Sequence, residues 1–193
     1  MESNIQIVEK PDWVTWDDIK QCLFEVHAVN RSKGINMTHY QWPAEKIKEF
    51  IGEQGTILVA LDGNKLIGSA AIKEGSKSHW YVSRKYAFVC FDGVMPEYSG
   101  QGIFRLLDSK REDKAKELGY DVLVFDTHEK NTYRQRIALK NGYRYVRYSL
   151  VSTKDHFNVV MAKWLNGCPY SERFCKWKYF ISKLQTKLKA KLF

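Results

Sequence analysis

Phe88-Val89-Cys90-Phe91-Asp92-Gly93-Val94-Met95-Pro96-Glu97-Tyr98-Ser99-Gly100-Gln101-Gly102-Ile103-Phe104-Arg105-Leu106-Leu107 is the stretch on which the fold turns. Phe88 to Phe91 is apolar without alternation, which predicts a strand covered on both faces in the middle of a sheet. From Ile103 the period becomes helical. Ile103, Leu106, Leu107 and Leu118 form an apolar face, Arg111 to Lys114 and Lys116 a solvated one, and Gly119 supplies the stop. The segment therefore reads as strand, glycine turn, helix. Two glycines at a helix start let the backbone approach a ligand and leave N–H groups pointing outward. With roughly half a positive charge from the helix dipole, they make an anion site suited to a pyrophosphate, without a lysine.

The common nucleotide fingerprints do not fit. Gly100-x-Gly102 lacks the third glycine of a dinucleotide-binding loop, and no glycine-rich loop ends in the Lys-Ser/Thr of a P-loop. A bare GxG is an ordinary strand-to-helix turn. The longer pattern Val94-x-Pro96-x-Tyr98-x-Gly100-x-Gly102-Ile103, however, resembles the acyl-CoA-binding signature of the GNAT superfamily of N-acyltransferases. Thr56 to Leu61, the turn Asp62-Gly63-Asn64 and Lys65 to Gly68 look like that family's first central hairpin; Asn131 and Asn141-Gly142-Tyr143 look like its second motif. The resemblance covers about residues 55 to 165. It implies an α/β (mixed α+β) fold: a central, mostly antiparallel sheet with one splayed parallel pair, flanked by helices. It also implies acetyl-CoA as co-substrate. Three positions depart from the pattern. Ser99 stands where Arg or Gln is usual, Phe104 where Gly or Ala is usual, and Ala138 where many members carry the tyrosine that protonates the departing thiolate.

Hydrophobic and charged fractions of 44% and 27% over 193 residues are those of a globular domain with a substantial core. One catalytic domain over residues 1–166 is expected, with a basic extension over 167–193. Met1-Glu2-Ser3-Asn4 shows no basic region followed by an apolar run, and no stretch approaches bilayer length, so the expected location is the cytoplasm. The four cysteines form no CxxC pair and have no histidines at zinc spacing; free thiols and no metal are expected. The formal charge of +9 is concentrated in the tail. Residues 171–193 hold seven Lys or Arg and one Glu, a net +6 that leaves +3 for the remainder.

Asn4 to Val8 alternates as a first strand. Thr15 caps a helix with Asp18 three residues on, and Ile19, Cys22, Leu23 and Val26 face inward. His27 beside that face reads as structural. A polar and aromatic stretch from Asn30 to Trp42 follows, and Pro43 opens a second helix carrying Ile47, Phe50 and Ile51. By resemblance this stretch borders the acceptor site, with His39, Tyr40 and Trp42 as acceptor contacts; the alternative is a surface loop with aromatics tucked beneath it. Such rings suit a sugar or small amine better than an extended acidic polymer, so nucleic acid is not an expected partner. Asp121 to Phe125 is another buried strand, and a right-handed crossover would lay it parallel to the Phe88 strand. Ligands collect at carboxyl ends of such strands, which puts Val94 and Asp126-Thr127-His128 at one mouth. Asn131 to Lys140 is a short helix. Arg144 to Ser152 and Asn158 to Leu165 form a closing pair, joined by a loop containing Asp155, a further acceptor contact.

In the tail, Phe174, Trp177, Ile181, Leu184 and Leu188 recur at helical spacing among six lysines. This amphipathic helix either packs on the domain or a second subunit, or lies on an anionic membrane surface or polyanion.

Acyl transfer from a thioester needs a neutral amine, a polarised carbonyl and a stabilised thiolate. In the resembled family, main-chain N–H groups at Val94 and Met95 contact the acyl carbonyl and pantetheine. Gly100, Gln101, Gly102, Ile103, Phe104 and Arg105 hold the pyrophosphate, and Asn131 the pantetheine arm. His128 is the first candidate base because imidazole titrates near neutrality, and Asp92 the second. Tyr133 is the nearest tyrosine to Ala138 on the same helix but is turned away from it. The reading is a GNAT-type acetyl-CoA-dependent N-acetyltransferase acting on a small-molecule amine, with an amino sugar as one acceptor class. The alternative is a silent CoA-binding or surface-binding relative.

Overall fold

The computed structural model describes residues 4–35, 41–75, 85–150 and 157–191. The fold is mixed α/β, with seven mostly antiparallel strands among the described residues, and the chain divides into two compact units. The first comprises residues 1–74 and 88–119; the second comprises 75–87 and 120–193.

In the first unit β1 (Ile5–Glu9), β2 (Thr56–Asp62), β3 (Lys65–Glu74) and β4 (Tyr86–Val94) lie side by side in that order. Asp62↔Lys65 closes the β2–β3 hairpin around Gly63-Asn64, as the turn signal requires. Every β2 residue from Ile57 to Leu61 is buried because the strand is covered twice. Ile57, Val59 and Leu61 pack under α1 (Trp16–Val26) and α3 (Ala44–Ile51) with Ile19, Leu23, Ile47 and Phe91; Leu58 and Ala60 pack with Ile103 and Leu107 of α4 (Ile103–Glu117). A reciprocal capping box fixes the start of α1. The Thr15 hydroxyl accepts from Asp18 N–H, and the Asp18 carboxylate accepts from both the Thr15 hydroxyl and Thr15 N–H; the hydroxyl bond first, then the N–H bond, holds the Asp18 carboxyl below its usual range. Between Asn30 and Trp42 the expected loop begins with a short helix, α2 (Ala28–Ser32).

The inward face of α4 differs from the apolar pattern. Leu106 and Leu118 are exposed, whereas Arg111, expected in solvent, is buried together with Asp108. Arg111, 1% exposed, reaches Asp92 of β4 with Nη1 at 3.1 Å and Asp108 with Nη2. Two carboxylates neutralise and hydrogen-bond the guanidinium, the condition under which a charge tolerates burial.

In the second unit β5 (Val122–His128) pairs antiparallel with β7 (Phe157–Trp164), and β7 with β6 (Arg144–Leu150), which leaves β6 at the edge. α5 (Thr132–Lys140) follows β5, and α6 (Glu172–Lys191) lies on β6. The side of α6 facing β6 is not the apolar one read from the sequence: Cys175 is buried and Tyr179, Ser182 and Thr186 point inward, while Trp177, Leu184 and Leu188 are exposed. The cause is the edge. Tyr148 N–H donates to Ser182 Oγ at 3.1 Å, and its carbonyl accepts from Ser182 and Thr186 hydroxyls at 3.2 and 2.9 Å. Hydroxyls on the helix satisfy backbone groups that a neighbouring strand would otherwise pair. A register shift between Tyr145 and Arg147 brings Tyr145 and Tyr148 to the same side, where Tyr179 stacks on the first at 4.8 Å and meets the second edge-on at 6.2 Å.

Candidate functional site

β4 carries the one non-glycine residue with positive φ among the described residues, Phe91 at 51°. A left-handed residue inside a strand interrupts the ladder, and the buried Ser69 hydroxyl donates to the Phe91 carbonyl at 2.8 Å. The Phe91 ring is fixed by Phe50 at 5.5 Å and Trp42 at 6.2 Å. Trp42, expected as an acceptor contact, packs its half-buried ring against Phe50 and Phe91. His39, Tyr40 and Asp155 lie outside the described residues. Two residues beyond Phe91 the backbone of Gly93 runs against α1, where a Cβ would meet Val26 Cγ1 at 2.0 Å.

Past β4, Met95 N–H donates to the Ile67 carbonyl at 2.8 Å. That bond removes Met95 N–H from the donors for an acyl carbonyl and leaves Val94 as the candidate of the pair. The chain then makes a 3-10 turn over Pro96–Tyr98, tied to the β2–β3 hairpin by Tyr98 O–H to Asp62 at 3.0 Å and Lys65 to Glu97 at 3.3 Å. Gly100 and Gly102 have φ of +83° and +79°, and a Cβ at either would meet nothing within 4 Å. Glycine is needed there for the left-handed backbone, and the space beside it is open. Gly102 is the N-cap of α4. No side chain caps this helix and its first turn holds no acid, whereas Arg105 is exposed beside it. Uncapped N–H groups, the positive dipole end and a free-standing guanidinium suit a phosphate group. A cleft of about 630 Å³ near Lys10, Trp16, Lys48 and Glu49 opens by Thr56, at the other end of β2 from Asp62, and does not serve this turn.

Asp92, the second candidate base, has its Oδ2 engaged by Arg111 Nη1 at 3.1 Å.

The remaining candidates stand in the second unit around the β5–α5 turn. His128, buried at the end of β5, accepts Lys130 N–H on Nδ1 at 3.0 Å, which puts the proton of the neutral ring on Nε2. Asn131 caps α5: Oδ1 accepts from Arg134 N–H at 3.3 Å and Nδ2 donates to Thr127 at 3.2 Å, leaving a second amide N–H. Ala138 is fully buried whereas Tyr133 is 64% exposed, so the two occupy opposite sides of α5. Sequence reading missed the polar group that braces the turn. Gln135 donates to the Glu129 carbonyl at 2.8 Å and accepts from Tyr145 O–H at 3.2 Å; Glu129 accepts from Tyr148 O–H at 2.5 Å. Burial, then the Glu129 bond, pushes the Tyr148 hydroxyl well above its ordinary range, and burial pushes Tyr179 up to about 12. Their spacing carries no motif; only the register shift in β6 assembles them.

Among the described residues no cluster of three or more His, Cys, Asp or Glu is placed to hold a metal, and no helix is long and apolar enough to cross a membrane.

The sequence profile of the Acetyltransferase (GNAT) family matches residues 16–143. Among curated proteins none matches in sequence. Solved structures share the fold. The ribosomal-protein-S18-alanine N-acetyltransferase of Escherichia coli superposes with TM-score 0.62 at 13% identity, over 86% of this chain and 97% of its own. The yncA structure from Salmonella typhimurium, solved with its cofactor acetyl-CoA, gives 0.63 at 18% identity over 88% and 98%. A GNAT family acetyltransferase from Elizabethkingia anophelis with acetyl-CoA bound gives 0.58 at 16% identity over 84% and 99%.

Proposed function

The chain belongs to the GNAT acetyltransferase family, and from that premise we propose that it transfers the acetyl group of acetyl-CoA to the primary amine of a small molecule, an amino sugar being the first acceptor class to test. The observation that carries this reading is the uncapped N-terminus of α4 behind two left-handed glycines. In the first unit, main-chain N–H groups from Gly100 to Phe104 hold the pyrophosphate and Val94 N–H is the donor for the acyl carbonyl; in the second, the other amide N–H of Asn131 is the donor for pantetheine.

In the reaction the amine nitrogen forms a bond to the thioester carbon, the C–S bond breaks, the nitrogen gives up a proton to solvent, and the thiolate takes one. With Nδ1 of His128 accepting from Lys130 N–H, the neutral ring offers a hydrogen-bond donor to the departing thiolate, which takes its proton from solvent, and the acid's part left open at Ala138 stays with water. Asp92 takes no part in proton transfer. The enzyme so read is cytoplasmic and needs no metal, and α6 is an accessory to turnover.

Calorimetric titration with acetyl-CoA, desulfo-CoA and ATP tests the reading. Micromolar binding of both CoA compounds with little heat from ATP is expected, followed by amine-dependent thiol release. Absence of CoA binding overturns it.

A further inference from the structure

Trp177, Phe180, Leu184 and Leu188 follow one another at intervals of three and four residues, and their exposures are 54%, 57%, 45% and 63%. Such spacing aligns them in one ridge along α6. The residues that hold α6 to β6, namely Cys175, Tyr179, Ser182 and Thr186, occupy the opposite side. The helix is therefore pinned by its polar seam with its apolar ridge turned outward. Helical periodicity puts Lys176, Lys183 and Lys187 along one flank of the ridge and Lys178 and Lys189 along the other.

We propose that this ridge docks on an anionic lipid leaflet, with the apolar side chains entering the headgroup boundary and the flanking lysines meeting lipid phosphates. The charge chooses the occupant. Residues 171–193 carry seven basic groups and one acid, so ridge-to-ridge contact with a second copy would set lysine rows against each other. A nucleic acid would meet the lysines and leave Phe180, Leu184 and Leu188 in water. An anionic leaflet satisfies both, because long lysine stems reach outward while the ridge lies in the interface plane. The inference is independent of the acetyl-transfer reading.

The test is flotation of the full chain with vesicles of phosphatidylcholine alone and with about 30% phosphatidylglycerol added. The expected result is flotation with the anionic vesicles only, weakened at least tenfold by Trp177→Ala/Leu188→Ala and by Lys176→Glu/Lys187→Glu, with melting temperatures unchanged. Failure to float with anionic vesicles overturns the proposal. So does flotation that the Trp177→Ala/Leu188→Ala variant retains, which would mean charge-only adsorption. A vesicle-free dimer abolished by that same variant would assign the ridge to a second copy and overturn it too.

Discussion

Arg111 Nη1 stands 3.1 Å from Asp92 Oδ2, and this pair joins the middle of α4 to the strand that leads into the glycine turn. The same guanidinium holds Asp108, so one buried cation fixes the helix against β4. Removing the cation leaves two carboxylates uncompensated. Arg111→Leu is expected to cost about 3–5 kcal/mol in denaturant unfolding. Asp92→Asn should lower stability by about 1–3 kcal/mol and leave the shape of the pH–rate profile unchanged. A lost acidic limb in that profile would return Asp92 to the role of base.

Gly102→Ala introduces a Cβ at φ +79° with room around it, so the effect is backbone strain, about 1–2 kcal/mol of stability. Relief of that strain tilts the first turn of α4, and acetyl-CoA affinity should fall at least tenfold by calorimetry. Gly102→Asp, which adds a negative charge to the anion site, should bind more weakly still.

His128→Ala removes a hydrogen-bond donor for the departing thiolate and should lower kcat about tenfold to a hundredfold with little change in KM for acetyl-CoA. Ring ¹⁵N shifts should show the neutral imidazole protonated at Nε2, as the bond from Lys130 N–H requires. A neutral ring protonated at Nδ1 would restore His128 as a base.

Tyr179 and Tyr148 both resist ionisation in the folded chain, Tyr179 up to about 12. An unfolded tyrosine loses its proton near pH 10. Above that pH the unfolded state binds fewer protons than the native one, and stability falls as pH rises. Denaturation midpoints should therefore drop between about pH 10 and 12, and Tyr148→Phe/Tyr179→Phe should flatten the slope.

Local signals read from sequence are the ones whose partners lie within a few residues. Thr15 and Asp18 cap α1 as their spacing requires, Gly63-Asn64 turns the hairpin, and Gly100 and Gly102 take positive φ at the head of α4. Arg111 was illegible because nothing near it in sequence shows that Asp92 waits on β4. The inward side of α6 was illegible for a related reason. Apolar periodicity finds the face that water disfavours, whereas β6 needed hydroxyls for its bare backbone, and Ser182 and Thr186 supplied them. His128 was placed correctly at the end of β5, but the hydrogen bond that sets its proton comes from the turn's geometry and has no spelling in the residues.

The hydroxyls of Ser182 and Thr186 also guard the chain against its own kind. With α6 in place, the outward backbone of Tyr148 has no hydrogen bond to offer a passing strand. Without α6, β6 becomes an adhesive border able to template extended chains, and a shortened protein would gather into oligomers before its chemistry could be compared with that of the whole.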